Sequence, residues 1–136
     1  MGETKKRVLV IDKQEYWREL STKTLVEAGF AVEPMAEYDY EPGTIKEPFD
    51  LIILGCASID VDEQRLIAKI LESGHHLLVL STSLPWRVMR SLFLAGADDV
   101  ANKPYDPDRL TSIVQQAFET IAPRNSYSVT KHRGTT

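Results

Sequence analysis

Three side chains with usable chemistry stand where short apolar runs give way to polar sequence. Asp12 closes Arg7-Val8-Leu9-Val10-Ile11, Ser81 closes Leu77 to Leu80, and Lys103 follows Asp99 to Asn102 just ahead of Pro104. Runs of this kind read as strands buried on both faces of a parallel sheet, and open α/β sheets collect their function just past the carboxyl ends of such strands. A fourth run, Phe49-Asp50-Leu51-Ile52-Ile53-Leu54, stops at Gly55, which has no side chain to react, ligate or donate. Lys13, Lys103, Ser81 and the backbone of Gly55 could line a small anion site. The plainer arrangement, and the one expected, is an Asp12–Lys103 ion pair with water.

Other reactive residue types carry less. Cys56 could be a redox-sensitive thiol, but a lone cysteine at a strand end reads first as a small buried residue. His75 and His76 precede the fourth strand with no third ligand in view, so a solvated loop fits better than a metal site. Asp60 and Asp62 lie beyond the end of the third strand, where capping a helix is the simpler role. No metal and no cofactor is expected.

The elements that would hold these residues alternate. Glu15 to Ala28 has helical spacing, with Trp17, Leu20, Thr24, Leu25 and Ala28 near one face and Gly29 as the stop. Phe30 to Met35 suggests a second strand, and Pro34 places its end at the sheet margin. Residues 36–48 contain Pro42-Gly43 where an alternating plan wants a helix, which predicts at most a short helical turn. Asp60 with Glu63 resembles a capping box before a stripe of Leu66, Ile67, Ile70 and Leu71, ended by Gly74. Pro85 opens a helix through Leu94, with Gly96 beyond it. Asp106-Pro107 reads as the cap and first turn of a last helix, striped by Leu110, Ile113, Val114, Ala117 and Ile121 and ended by Pro123. Five strands alternating with four or five helices favour a parallel sheet covered on both faces.

Composition narrows the class. The 136 residues are expected to form one domain over residues 1–122, with a flexible basic tail at 123–136. The longest aliphatic runs fall far short of the ~20 residues of a membrane span. The N-terminus leads into a strand without a signal-peptide apolar region, and the single cysteine suits a reducing compartment, so a cytoplasmic location is expected. The net charge is −4, of which the tail contributes +3 through Arg124, Lys131 and Arg133, leaving −7 on the rest. Direct nucleic-acid binding by so acidic a body is not expected.

Taken together, Val8-Leu9-Val10-Ile11-Asp12, Asp50-Leu51-Ile52-Ile53-Leu54, Val79-Leu80-Ser81, and Gly96-Ala97-Asp98-Asp99 leading to Lys103-Pro104 resemble the response-regulator receiver domain (CheY-like) over roughly residues 7–121. The resemblance implies a flavodoxin-like, doubly wound five-stranded α/β/α sandwich, here with the second helix shortened or irregular. It also implies a switch worked by phosphorylating an aspartate at the end of the third strand. Two acids after the first strand help hold Mg²⁺, a Ser or Thr ends the fourth strand, a Lys ends the fifth, and an aromatic in the fifth strand reports the state. Asp12, Ser81 and Lys103 match this pattern, whereas Gly55 replaces the acceptor, Lys13 the second acid and Val100 the switch aromatic. The departures agree electrostatically. With Asp12, Lys13 and Lys103 the pocket sums to +1, or to 0 if Lys13 faces solvent. Mg²⁺ wants anionic oxygen ligands, so a lone aspartate beside one or two ammonium groups is a poor site and no Mg²⁺ is expected. Without an acceptor carboxylate there is no nucleophile for phosphoryl transfer.

The expectation is therefore a non-enzymatic pseudo-receiver, a phosphorylation-independent interaction module in signalling or transcriptional regulation. The alternatives are a small-anion or nucleotide sensor using the vacant pocket, and a receiver phosphorylated on a displaced Asp60 or Asp62. The helix from Pro85 to Leu94 supports the first reading. Val88, Leu92 and Ala95 cluster on one face, yet Trp86, Met89, Phe93 and Leu94 carry apolar surface well beyond it, with Arg87 and Arg90 on the remaining side. That helix and Tyr105 predict a surface for a protein partner or a homodimer, in line with receivers, which often use their fourth helix, fifth strand and fifth helix for contact.

Overall fold

The structure is a computed structural model that describes residues 4–36 and 40–134, with the side chains of the last helix described up to Ile121. The chain alternates β1 (Arg7–Ile11), α1 (Glu15–Glu27), β2 (Ala31–Met35), β3 (Leu51–Cys56), α2 (Val61–Glu72), β4 (Leu77–Ser81), α3 (Trp86–Ala95), β5 (Asp99–Asn102) and α4 (Pro107–Gly134). All strands are parallel, in the order β2-β1-β3-β4-β5, so that β1 and β3 lie side by side and their carboxyl ends meet between the layers. This is the flavodoxin-like architecture expected from the alternation.

Period-two alternation within each strand divides the core in two. Val8, Val10, Leu51, Ile53, Leu78 and Leu80 face α1 and α4, where Trp17, Leu25, Leu110, Val114 and Ala117 meet them. Leu9, Ile11, Ile52, Leu54, Leu77 and Val79 face the other way, toward Leu66, Ile67 and Ile70 of α2 and Leu92 of α3. β2, by contrast, is mostly exposed and carries Pro34, as suits an edge strand.

The expected helix termini are present. Asp60 and Glu63 form a reciprocal capping box at the start of α2, with the Asp60 N–H donating to Glu63 Oε1 at 3.0 Å. Asp106 accepts the Arg109 N–H at 3.1 Å, capping α4. Gly96 closes α3 at φ 116°, a left-handed conformation that side chains with a Cβ seldom adopt. The stop expected at Pro123 does not coincide with the end of α4, which continues to Gly134; a proline removes one ladder hydrogen bond but need not end a helix. The side chains of the expected tail, residues 123–136, lie outside the described residues.

Between β2 and β3 the described chain forms only one 3₁₀ turn, Pro42–Thr44, where the alternating plan would place a helix. The sheet is covered there by side chains from a loop. Tyr40 is 1% exposed and joins Phe49 and Ile45 against the α2 side of the core. The Tyr40 hydroxyl meets Ser73 Oγ at 3.2 Å, tying the loop to the end of α2. Tyr40 therefore does part of the work of an absent helix. Tyr40→Ala is expected to lower stability by about 3–5 kcal/mol through the cavity it leaves. Tyr40→Phe, which loses only the hydroxyl contact, should cost about 1 kcal/mol. Urea unfolding of the three proteins reads both effects.

Candidate functional site

The carboxyl ends of β1, β3 and β5 converge on one buried ion pair. Lys103 Nζ stands 2.8 Å from Asp12 Oδ2, with both side chains 2% exposed. At that distance opposite charges attract strongly in a site closed to water. Asp12 Oδ1 accepts the Gln14 N–H at 2.8 Å, and Lys103 donates to Gln14 Oε1 at 3.1 Å. Burial pushes the Asp12 carboxyl above its ordinary value, while Lys103, the Gln14 N–H and Arg18 pull it back. The aspartate thus depends on its neighbours to keep its charge.

Trp17, on the first turns of α1, forms the floor. Its indole is fully buried, its N–H donates to the Pro104 carbonyl at 2.8 Å, and Lys103 Nζ lies 4.9 Å from its ring centroid. One side chain therefore links α1 to the β5–α4 connection and gives Lys103 a second electrostatic partner.

Above this floor lies a cleft of about 470 Å³ lined by Asp12, Lys13, Gln14, Gly55, Thr82, Lys103 and Tyr105, and on its far side by Ser58, Asp60 and Glu63. Lys13 is exposed at the rim. Asp12, Gly55 and Lys103 are brought together as the sequence suggests. Ser81 does not line the cleft with them: its fully buried hydroxyl donates to the Ser83 carbonyl at 2.7 Å, and the next residue, Thr82, lines the cleft. Asp60 lines the cleft but caps α2, whereas Asp62 sits in the first turn of α2 and does not line it. The Asp12–Lys103 pair is the arrangement expected from the sequence, and because Asp12 neutralises Lys103 the cleft offers an anion little.

Magnesium does not fit these residues. Asp12 has one oxygen on a backbone N–H and the other on Lys103, and the carboxylates of Asp60 and Glu63 are engaged in the capping box. Among the described residues no three His, Cys, Asp or Glu side chains form a metal-binding group. His75 points Nδ1 at Ser73 Oγ, 2.8 Å away, and His76 pairs with Asp98 at 3.1 Å, each at the opposite end of the sheet from the cleft. Burial and the neighbouring His76 hold the His75 ring below the usual imidazole value. Cys56 is buried, and that burial pushes its thiol up to about 12, although the Ser81 hydroxyl beside it acts in the other direction. A thiol so protonated is a packing group.

Outside the cleft, α3 presents the surface that its sequence suggests. Trp86, Phe93 and Leu94 are exposed by 66%, 44% and 73%, Tyr105 by 49%, and the Arg87 guanidinium lies 5.6 Å from the Trp86 ring. Arg90 is exposed too. Two residues differ from expectation. Met89 packs half-buried against the core beside Val88, and Ala95 is exposed near the end of the helix. Val100 is buried between Leu92 and Ala97 in the core cluster, a small aliphatic with no ring to turn.

Sequence reasoning missed Gln14 and Thr82 as parts of the cleft, and Trp17 as the buried ring against Lys103. The signal for Trp17 was its indole N–H, which needs a partner once the ring is buried in a helix face. The partner, Pro104, lies too far along the chain for spacing to suggest it.

No protein-family model matches this sequence, and no curated protein matches it either. Solved structures do resemble it. A response regulator from Thermotoga maritima is 22% identical with a TM-score of 0.70, covering 85% of this chain and 99% of that one. An orphan response regulator of H. pylori is 26% identical with a TM-score of 0.69, covering 82% of this chain and 95% of that one. NtrX from Brucella abortus is 20% identical with a TM-score of 0.77, and the likeness covers 98% of this chain but 31% of NtrX. The fold is that of response-regulator receiver domains. No described helix is long and apolar enough to cross a membrane.

Two measurements follow from this geometry. Asp12→Ala strands a buried ammonium and should cost about 3–5 kcal/mol, whereas adding Lys103→Met should recover much of that loss, as seen when both partners of a buried pair are removed. A urea-unfolding cycle over the four proteins reads the coupling. Cys56 should react with an alkylating reagent at pH 8 on the order of 30-fold more slowly than an exposed thiol, since its depleted thiolate is only partly offset by higher nucleophilicity. Unfolding in urea should abolish the difference.

Proposed function

We propose that this chain is a phosphorylation-independent, receiver-like module that acts by binding a protein partner or a second copy of itself in signalling or transcriptional regulation. The observation that carries the reading is the pairing of Asp12 with Lys103 beside Gly55. The strand-end cluster holds a single carboxylate, already neutralised by an ammonium 2.8 Å away, and position 55 supplies no oxygen to attack phosphorus. The module is not an enzyme on this reading, and it works in the cytoplasm without Mg²⁺ or another cofactor.

Recognition falls to the face built by α3, β5 and α4. Exposed Trp86, Phe93, Leu94 and Tyr105, with Arg87 and Arg90 among them, supply the aromatic and guanidinium groups enriched at protein contacts. Val100 suits a module of one state, since its position holds no ring that could move between a buried and an exposed setting.

The test has two arms. Incubation with acetyl phosphate and Mg²⁺, followed by intact mass, should show no added phosphoryl group; an adduct on Asp60 or Asp62 would establish the displaced-acceptor alternative instead. Trp86→Ala with Phe93→Ala should weaken self-association or capture of a co-purifying partner by at least about tenfold, the scale of a single interface hot spot. Undiminished binding would remove α3 from the interface.

A further inference from the structure

Gly55 is a strand residue with no positive φ, so its backbone does not require glycine. Space does. A Cβ built on Gly55 would fall 2.8 Å from Trp17 Cζ3 and 3.1 Å from Trp17 Cε3, and would overlap the Asp12 carboxylate at Oδ2. Real Cβ atoms essentially never approach a heavy atom that closely, so one of the neighbours would have to move. Neither is free to do so. Trp17 is fully buried and held at its N–H by Pro104, and Asp12 is held by Lys103 and by the Gln14 amide.

We propose that Trp17 is the permanent occupant of the acceptor position. Its indole, with the Asp12 carboxylate, takes the place where a Cβ at the end of β3 would stand, and its ring face lies 4.9 Å from the Lys103 ammonium that pairs with Asp12. The module then carries its own fixed occupant in place of an exchangeable one. This rests on the phosphorylation-independent reading and names the residue that enforces it. It also makes a claim that reading does not: position 55 is coupled by size to Trp17 as well as to the Asp12 carboxylate.

The test is a thermal-unfolding cycle on the full chain with Gly55→Ala, Trp17→Leu and the double variant. Gly55→Ala alone should lower Tm by about 5–10 °C, the scale of overpacking one methyl group in a domain of this size. In the Trp17→Leu background the same change should lower Tm by measurably less, the remaining loss being the overlap with the Asp12 carboxylate. Equal losses in the two backgrounds would overturn the proposal. If Gly55→Ala alone does not yield folded protein, recovery of folded protein by Trp17→Leu supports the coupling, and failure to recover it sinks the coupling. A second readout follows the indole itself. The chain has two tryptophans, so Trp86→Phe leaves Trp17 as the sole emitter. Adding Gly55→Ala should then shift its emission to the red and increase quenching by acrylamide, whereas an unchanged spectrum would place Trp17 elsewhere. Phosphorylation of the native protein by acetyl phosphate would count against the functional reading, while an additive cycle with no phosphorylation would count against the Trp17 assignment alone.

Discussion

An ammonium group 2% exposed has to be compensated, and that requirement governs the carboxyl edge of this sheet. Lys103 obtains its compensation from Asp12 at 2.8 Å, from Gln14 Oε1 at 3.1 Å and from the face of Trp17. These groups come from β1, from the turn after it and from α1, while the lysine follows β5. The buried charge therefore binds together elements that the sheet order sets apart, since β3 and β4 lie between β1 and β5. Tyr105, next to the Trp17-bound Pro104, also reaches toward Gln14 Oε1, at 3.5 Å. The ion pair and the half-exposed ring that helps form the proposed contact face thus share one short piece of backbone.

On the proposed reading, the same requirement ties the residue at one strand end to the residues at the others. A cluster of three carboxylates and one lysine carries surplus negative charge and relies on a divalent cation to offset it. On the same proposed reading, glycine at 55 and lysine at 13 stand where two of those charges would be. One aspartate and one buried lysine then balance without a metal. On that reading the Trp17 indole and the Asp12 carboxylate stand where a side chain on residue 55 would begin, and Trp17 itself belongs to the packed interior on the α1 side of the sheet. Packing at this density leaves little room for a side chain to be restored singly.

The parts of this structure that repeat with a short period were legible in the sequence. Runs such as Leu51 to Leu54 and Leu77 to Leu80 are apolar at every position because both faces of the strand are covered, and the capping box of Asp60 and Glu63 is local by nature. The convergence of Asp12, Gly55 and Lys103 was legible because parallel strands deliver their carboxyl ends to one edge. What could not be read were choices of direction. Ser81 and Thr82 are neighbours on a turning chain, and only the local backbone decides which residue lines the cleft and which one bonds Ser83. Met89 lies at the margin of the α3 stripe, where a flexible thioether can fold back onto the core. Tyr40 and Trp17 escaped for a different reason. Each fills a space defined by residues distant in sequence, the first replacing a helix and the second a side chain, and an absence has no periodicity to reveal it.

A module with its own side chains in the switch site faces a thermodynamic restriction. A ligand shifts a two-state equilibrium only by the difference in its affinity for the two states, and a group that never leaves contributes the same energy to both. On the proposed reading, the Asp12–Lys103–Trp17 cluster sets the conformation of the β5–α4 connection once, during folding. Control then has to act through the concentration of the partner, through self-association, or through competition for the α3 face. That face is suited to such control because its aromatic groups already stand exposed in the unbound chain, so association need not wait for a conformational change. On that reading the apolar surface left on α3 and the neutralised cluster at the strand ends belong to one arrangement, in which binding stays available because nothing at the strand ends has to move.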